Sequence, residues 1–361
     1  MDGLPPTADR RAARDTRLFP RKLDFRNGTV DLTHGSGGKA SAQLFEELFR
    51  PAFANPALDR GDDQAHITGA SRMVVATDGH VVTPMVFPGG DIGCLSVHGT
   101  VNDVAMAGAR PIGLTAGFIL EEGFPLADLK QIVTSMAAAA SQARVPIVAG
   151  DTKVVERGKG DGVFITTTGI GIIPDSVQEA PGAHRARPGD AILVSGSLGD
   201  HGVTILAARE ALPLMAPIES DTAALHTLVA DLLKAAPGTR CLRDPTRGGL
   251  ATAVNEVCRA SGVGAVLVEE HLPIRRTVDA ACEILGVDPL YLANEGKLIA
   301  IVPPEEAATA LNALRAHPLG SEAAIIGTVT DDPNGFVQME TPMGGRRMVD
   351  WLVGDPLPRI C

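Results

Sequence analysis

A chain of 361 residues is long enough for two domains of ordinary size, each with its own core. Its formal net charge of -11 and 3% aromatic content leave neither the basic footprint nor the stacking platform that nucleic-acid binding uses. The apolar runs, such as 191–194 and 298–302, end long before the roughly 18 residues of a membrane span, so neither nucleic acid nor a membrane is an expected partner.

Residues 1–28 are expected to form a disordered leader. They mix Arg, acids and Pro, and no apolar run follows Arg10-Arg11 to make a secretory signal. A short strand is predicted at 29–32, leading through His34-Gly-Ser-Gly-Gly-Lys39 into a helix over 40–53. Strands follow at 73–76, 112–118, 146–148 and 163–173, with helices over 93–107 and 125–143. The segment 179–188, with Pro181, Gly182 and Pro188, reads as a linker closing a first domain of residues 29–180. A second domain, 188–350, carries strands at 191–194, 265–268, 298–302 and 324–329. Its helices are placed at 201–211, 222–235, 249–261, 278–285 and 304–316. The fold class is therefore mixed α/β in two domains. Residues 351–361 are expected to be a mobile tail, whose two prolines favour extended geometry at about 3.1 Å per residue.

The five cysteines are odd in number and form no CxxC pair, which fits a reducing cytoplasm. No HExxH or clustered-histidine spacing suggests zinc. The loop Gly35-Ser36-Gly37-Gly38-Lys39 before a helix offers backbone N–H groups, a helix N-terminus and a lysine, which suits phosphates. It lacks a Walker A spacing. A loose dinucleotide fingerprint through Gly35, Gly37 and Ala40, or a plain surface loop, stays open at this point.

Acids recur at the ends of predicted strands and loops: Asp62-Asp63, Asp78, Asn102-Asp103 and Asp151 in Gly150-Asp-Thr-Lys153. Singly, each is more often a turn former or helix cap. As a converging set they would repel one another unless a hard cation such as Mg²⁺ joined them to phosphates. Asp244-Pro-Thr-Arg-Gly-Gly249 adds an acid, the Thr246 hydroxyl and Arg247 at a helix start. Asn294-Glu-Gly-Lys297 places Glu295 and Lys297 on a turn, where an exposed ion pair is the plain alternative. His201 is assigned capping or packing and no catalytic role. Cys361 fits no prenylation box, follows two prolines on a polar tail and has no disulfide compartment. That leaves a swinging thiol carrier, its pKa raised by its own carboxylate and offset by Arg359.

Together with Phe87-Pro-Gly-Gly-Asp-Ile-Gly93, Phe118-Ile-Leu-Glu-Glu-Gly123, Ser195-Gly-Ser-Leu-Gly-Asp-His-Gly202 and the Pro-Arg-Ile-Cys361 end, these motifs closely resemble the HypE family of hydrogenase maturation factors. These are carbamoyl dehydratases of the PurM-like superfamily. The resemblance runs from about Thr29 to Cys361. It implies two PurM-like domains, the first pairing strands across a homodimer, and ATP with Mg²⁺ as cofactors. It implies HypF as the carbamoyl donor to Cys361 and a HypC–HypD complex as the cyanide acceptor. By the same resemblance Cys361, Glu295 (base) and Lys153 (its partner) are catalytic. Gly37, Gly38, Lys39, Asn102 and Thr246 would bind nucleotide, and Asp63, Asp78, Asp103, Asp151 and Asp244 would hold Mg-ATP. One departure is that Gly79 and His80 follow Asp78 where the family usually has a serine and an aromatic. Other PurM-like enzymes, such as aminoimidazole ribotide synthetase or thiamine-phosphate kinase, would have no use for Cys361. A nucleotide-binding scaffold is the remaining alternative.

Overall fold

The computed structural model describes residues 19, 21–35, 39–56, 69, 71–210, 217–332, 334–352 and 359–361, with the backbone alone for Lys39. The leader up to residue 18, Gly37, Gly38, Asp63 and tail residues 353–358 lie outside the described residues.

Strands β1 (Met73–His80), β4 (Arg110–Glu121), β5 (Ile147–Val155) and β6 (Val163–Ile172) form a four-stranded sheet in the order β1-β6-β4-β5. Only the β4–β5 pair is parallel. A two-stranded ribbon, β2 (Val86–Phe87) and β3 (Gly90–Asp91), leads into helix α2 (Ile92–Met106). Asp91 caps α2 by accepting from the N–H groups of Gly93 and Cys94 at 2.9 and 3.0 Å. With α3 (Leu126–Ala143), α2 covers one face of the sheet. Cβ atoms at Gly169 or Gly171 of β6 would meet Val104 at 2.8 or 2.4 Å, so glycine lets helix and sheet close up. α2 is buried nearly all round, as expected of a helix between layers.

Among the described residues the other face of this sheet is left part-exposed, a bare face. Along β1 the residues alternate in exposure; Val75 is 67% exposed and Met73 is open on the same strand, as is Ile119 of β4 two strands away. This explains why β1 and β5 run longer than predicted. Their outward residues, in Thr77-Asp-Gly and Asp151-Thr-Lys153, are polar and interrupt an apolar run without ending the strand.

The second sheet has seven strands in the order β13-β12-β9-β11-β7-β10-β8. Its strands are β7 (Ala191–Val194), β8 (Cys241–Arg243), β9 (Gly264–Val268), β10 (Ile299–Val302), β11 (Ala324–Thr330), β12 (Val337–Glu340) and β13 (Arg346–Met348). Helices α5 (His226–Ala235), α6 (Gly249–Ser261) and α8 (Ala307–Ala316) pack on it, whereas α4 (Asp200–Arg209) and α7 (Arg276–Leu285) pack together and add Val203, Ile205, Leu206, Val278 and Ala281 to the apolar cluster of the first domain. Central β7 and β10 are buried at every residue, and two apolar clusters fill the space on either side.

Several elements differ from the sequence expectation. At 29–32 there is no strand; Thr29 makes a single bridge to Pro125, and Leu32–Gly35 is a 3-10 turn. The first helix begins at Lys39 (α1, Lys39–Leu44) and continues through a π turn, Phe45–Phe49, to Arg50–Ala52. Residues 21–28, expected in the disordered leader, hold to the body: Gln43 Nε2 donates to the Arg21 carbonyl at 2.6 Å, and Lys130 Nζ sits 5.3 Å from the Phe25 ring centroid. Residues 222–225, expected to be helical, are irregular, because Asn102 of α2 takes the Leu225 N–H at 2.7 Å and donates to the Ala223 carbonyl at 3.0 Å. That buried amide joins the two domains.

Candidate active site

A strand, a helix and two loops meet where the domains join. β1 brings Asp78, α2 brings Asp103, the loop before α6 brings Asp244 and Arg247, and the turn before β10 brings Glu295. They lie near enough for each other's charges to bear on their protonation. Burial first, then the charges of Asp244 and Asp78, push Asp103 up to about 7, while Arg243 and Arg247 oppose the shift. Burial likewise raises Asp244, with Asp78 among the contributing charges. Glu295, only 3% exposed, is pushed well above the carboxylate range by burial, then by Asp221, Asp244, Asp78 and Asp103. Its Oε1 is buried without a hydrogen-bond partner.

The end of the chain enters this cluster. Residues 359–361 pair antiparallel with the segment after β1: Val82 bridges Ile360, Val81 N–H donates to the Cys361 carbonyl at 2.9 Å, and Thr83 N–H donates to the Arg359 carbonyl at 3.2 Å. Ile360, 5% exposed, joins the core of the first domain. The half-buried Cys361 thiol lies within hydrogen-bonding reach of the Glu295 carboxyl. Burial and then Glu295 push the thiol far up, against the opposing charge of Arg247. Arg359, expected to offset that rise, is instead ion-paired with Asp161. Burial in the seat thus favours the protonated form of the Cys361 thiol.

The remaining sequence candidates fall elsewhere. Asp78 lies in register with Thr167, Ala116 and Gly150, whereas Asp151 lies one row on, level with Gly79, Thr166 and Gly117. Successive strand residues point to opposite faces, so Asp151 and Lys153 stand on the bare face. They are 69% and 64% exposed and paired with each other at 2.7 Å. The structure thus does not bring Lys153 to Glu295 within one chain, nor Asp151 to the other acids. Asn102 spends both ends of its amide on backbone groups, including the Glu295 carbonyl at 3.3 Å. Thr246 sits half-buried in the α6 entry turn, its carbonyl accepting from Gly249 N–H at 3.0 Å. Among the described residues no three His, Cys, Asp or Glu side chains form a ready-made metal cage. His80 is buried, 3.2 Å from Thr167 Oγ1 and 3.8 Å from Asp78 Oδ2, and a Cβ at Gly79 would meet nothing. The departure from the family pattern thus leaves a buried ring behind Asp78.

Sequence reasoning missed Asp221. It accepts the Glu295 N–H at 3.0 Å and the Lys297 ammonium at 3.0 Å, so Lys297 pairs with Asp221 and not with Glu295. Gly296 permits this: a Cβ there would lie 1.7 Å from the Asp221 carbonyl oxygen. Gly296→Ala is expected to destabilise the fold by about 1–3 kcal/mol, the range for overpacking, read as a lower denaturation midpoint at unchanged slope.

The acid cluster also predicts a pH effect. A carboxyl whose folded pKa exceeds its unfolded value contributes stability that is present below the unfolded pKa and lost as pH rises through the folded one. For Asp103 that window runs from 3.8 to about 7. Without nucleotide, the stability advantage of Asp103→Asn over the parent should grow by about 1.4 kcal/mol per pH unit across it, measured by denaturant titration between pH 5 and 7.

Residues 61–173 match the family described as AIR synthase related protein, N-terminal domain, and residues 187–340 match its C-terminal domain family. The chain is 65% identical over 345 residues to carbamoyl dehydratase HypE of Azotobacter vinelandii, covering 94% of this chain and 99% of that one. It is 47% identical over 338 residues to the Escherichia coli K12 enzyme of the same name, covering 92% and 99%. A crystal structure of hydrogenase maturation protein HypE in complex with ATP superposes with a TM-score of 0.89 at 50% identity, over 92% of this chain and all of that one. A HypE–HypF complex matches at 0.75 and 47% identity, over 86% and 99%. A thiamine-monophosphate kinase from Stenotrophomonas maltophilia, at 21% identity and a TM-score of 0.62 over 87% and 99%, shares the fold.

Proposed function

Since the chain belongs to the HypE family, the carbamoyl dehydratases of hydrogenase maturation, we propose that it uses ATP to convert a carbamoyl group on its own Cys361 into an S-cyanide. The observation that carries this reading is the Cys361 thiol seated against the buried carboxyl of Glu295. An amide oxygen is a poor leaving group. Its attack on the γ-phosphoryl of ATP breaks the bond to ADP, which leaves, and turns the oxygen into a phosphate ester; loss of the two N–H protons and departure of that ester oxygen with phosphate leave the C≡N bond. Glu295 would take a proton from the nitrogen. Burial among acids makes its carboxylate a stronger base than a free one.

ATP comes to this chain from the ATP complex of its relative. The donor set at the domain junction, hard carboxylates held close without a cage of three, fits Mg²⁺, which takes one or two protein carboxylates and completes its shell with phosphate and water. Asp78, Asp103 and Asp244 would hold it, with Lys39, Gly37, Gly38 and Asp63 as the remaining nucleotide ligands. Bound there, Mg²⁺ would neutralise phosphate charge.

The seated thiol is half-buried beside Glu295 and burial favours its protonated form, so loading would take place with the tail out of its seat. HypF, the partner in the complex of a relative, would load it outside, and the cyanide would pass to HypC–HypD. The bare sheet face, apolar at Met73, Val75 and Ile119, fits a second copy of the chain, which would place the partner's sheet against Asp151 and Lys153. Val75→Asp is expected to convert a dimer into a monomer in light scattering; a parent protein already monomeric at tens of micromolar would end the dimer reading. The reaction itself is tested by the mass of Cys361 after incubation with carbamoyl phosphate, ATP and the transferase.

A further inference from the structure

Each backbone carbonyl of residues 359–361 is held, and two of the holds are side chains of α4. Arg209, at the end of the helix, donates from Nη2 to the Arg359 carbonyl at 2.9 Å and to the Thr83 carbonyl at 3.0 Å. His201, near its start, lies 2.8 Å from the Ile360 carbonyl through Nε2 and 2.8 Å from Ser220 Oγ through Nδ1. A carbonyl can only accept, so the proton sits on Nε2, and Nδ1 accepts from the serine hydroxyl. The imidazole is fully buried with the Phe87 ring edge-on at 5.6 Å, and burial lowers its pKa, so it stays neutral in this tautomer. Ser220 neighbours Asp221, which holds the Glu295 N–H. Ser220 and Asp221 also line a cavity of about 440 Å³ with Arg275 and Lys297.

We propose that His201 is a positioning residue that ties the Cys361 carrier to the Ser220–Asp221 turn, which also holds Glu295, with Arg209 as the second side-chain hold on the tail. One turn thereby sets the register of base and carrier together. The purpose of this device rests on the carrier reading above, but its geometry does not.

The test reads how often the tail leaves its seat. The seated thiol is half-buried and kept protonated by burial, so a thiol reagent reacts faster with the released tail and its rate follows the released fraction. Removing one backbone hydrogen bond should raise that fraction about tenfold. Full-length protein without nucleotide is treated with iodoacetamide, and alkylation of Cys361 is followed by peptide mass spectrometry. His201→Asn keeps an amide near Ser220 and loses reach to Ile360; it should alkylate about tenfold faster. His201→Gln restores a donor near Nε2 and should return to within about threefold of the parent. Arg209→Met should also rise about tenfold, and the double variant should exceed either. Equal rates in the parent and His201→Asn, or equal rates in the Asn and Gln variants, overturn the proposal. If His201→Asn fails to fold by near-ultraviolet dichroism, Arg209→Met decides, and an unchanged rate there overturns it. The assay uses neither carbamoyl group nor ATP. Absence of cyanide chemistry would therefore sink the carrier reading and leave the alkylation result standing.

Discussion

Cys361→Ser should abolish both steps at the end of the chain, loading and dehydration, with product formation down at least about 10³-fold. A serine hydroxyl ionises far less readily than a thiol and is a weaker nucleophile towards the carbamoyl donor. The substitution is clean because the seat holds the tail by its backbone and by Ile360: Val81, Thr83, His201 and Arg209 all bond carbonyls. The variant should therefore fold, seat its tail and bind nucleotide like the parent. A nucleotide-binding scaffold whose tail only docks a partner would instead keep its function, measured as hydrogenase activity restored in a complemented maturation-deficient strain.

Glu295→Gln separates the two steps. The amide has the shape of the protonated carboxyl but cannot accept the nitrogen proton, so dehydration should fall by about 10² to 10⁴. Carbamoylated protein should accumulate. Loading, which takes place with the tail released, should proceed at the parent rate. In the parent, the rate of dehydration should rise with pH as Glu295 ionises, because burial and Asp221 hold its pKa well above the ordinary value; the Gln variant should lose that dependence. The stability effect has the opposite sign. A raised carboxyl pKa costs stability as pH rises, so Glu295→Gln should resist alkaline destabilisation better than the parent. Normal conversion to the cyanide would remove Glu295 from the role of base.

The elements best legible in the sequence were those whose ends carry local chemistry. Helix α6 runs over Gly249–Ser261 as predicted, because Gly248 and Gly262, both at positive φ, stop it at either end. Central strands β7 and β10 announce themselves as continuous apolar runs. The short outer strands β8, β12 and β13 do not, because they are brief and part-exposed, and β12 pairs in parallel with β9, distant in sequence. The same division holds for the site. Asp78, Asp103, Asp244 and Glu295 sit in short Gly- and Asp-rich motifs that mark them as a set. Asp221, His201 and Arg209 act through backbone groups up to 159 residues away, and no spacing rule exposes that. Lys153 and Asp151 carry a motif as clear as the others, yet strand alternation sends them to the bare face. Motif reading finds chemistry-bearing residues; only register decides which face of the sheet they serve.

The most direct measurement is intact mass of the full-length protein, with the modification located on the peptide that ends in Cys361. In the presence of carbamoyl phosphate, ATP, Mg²⁺ and the carbamoyltransferase, the mass should first rise by one carbamoyl group and then fall by one water, both on Cys361. With a non-hydrolysable ATP analogue supplied after loading, the first shift should persist and the second should not appear. A Cys361 that remains unmodified under complete conditions, or a carbamoylated Cys361 that loses water without ATP, would contradict the account.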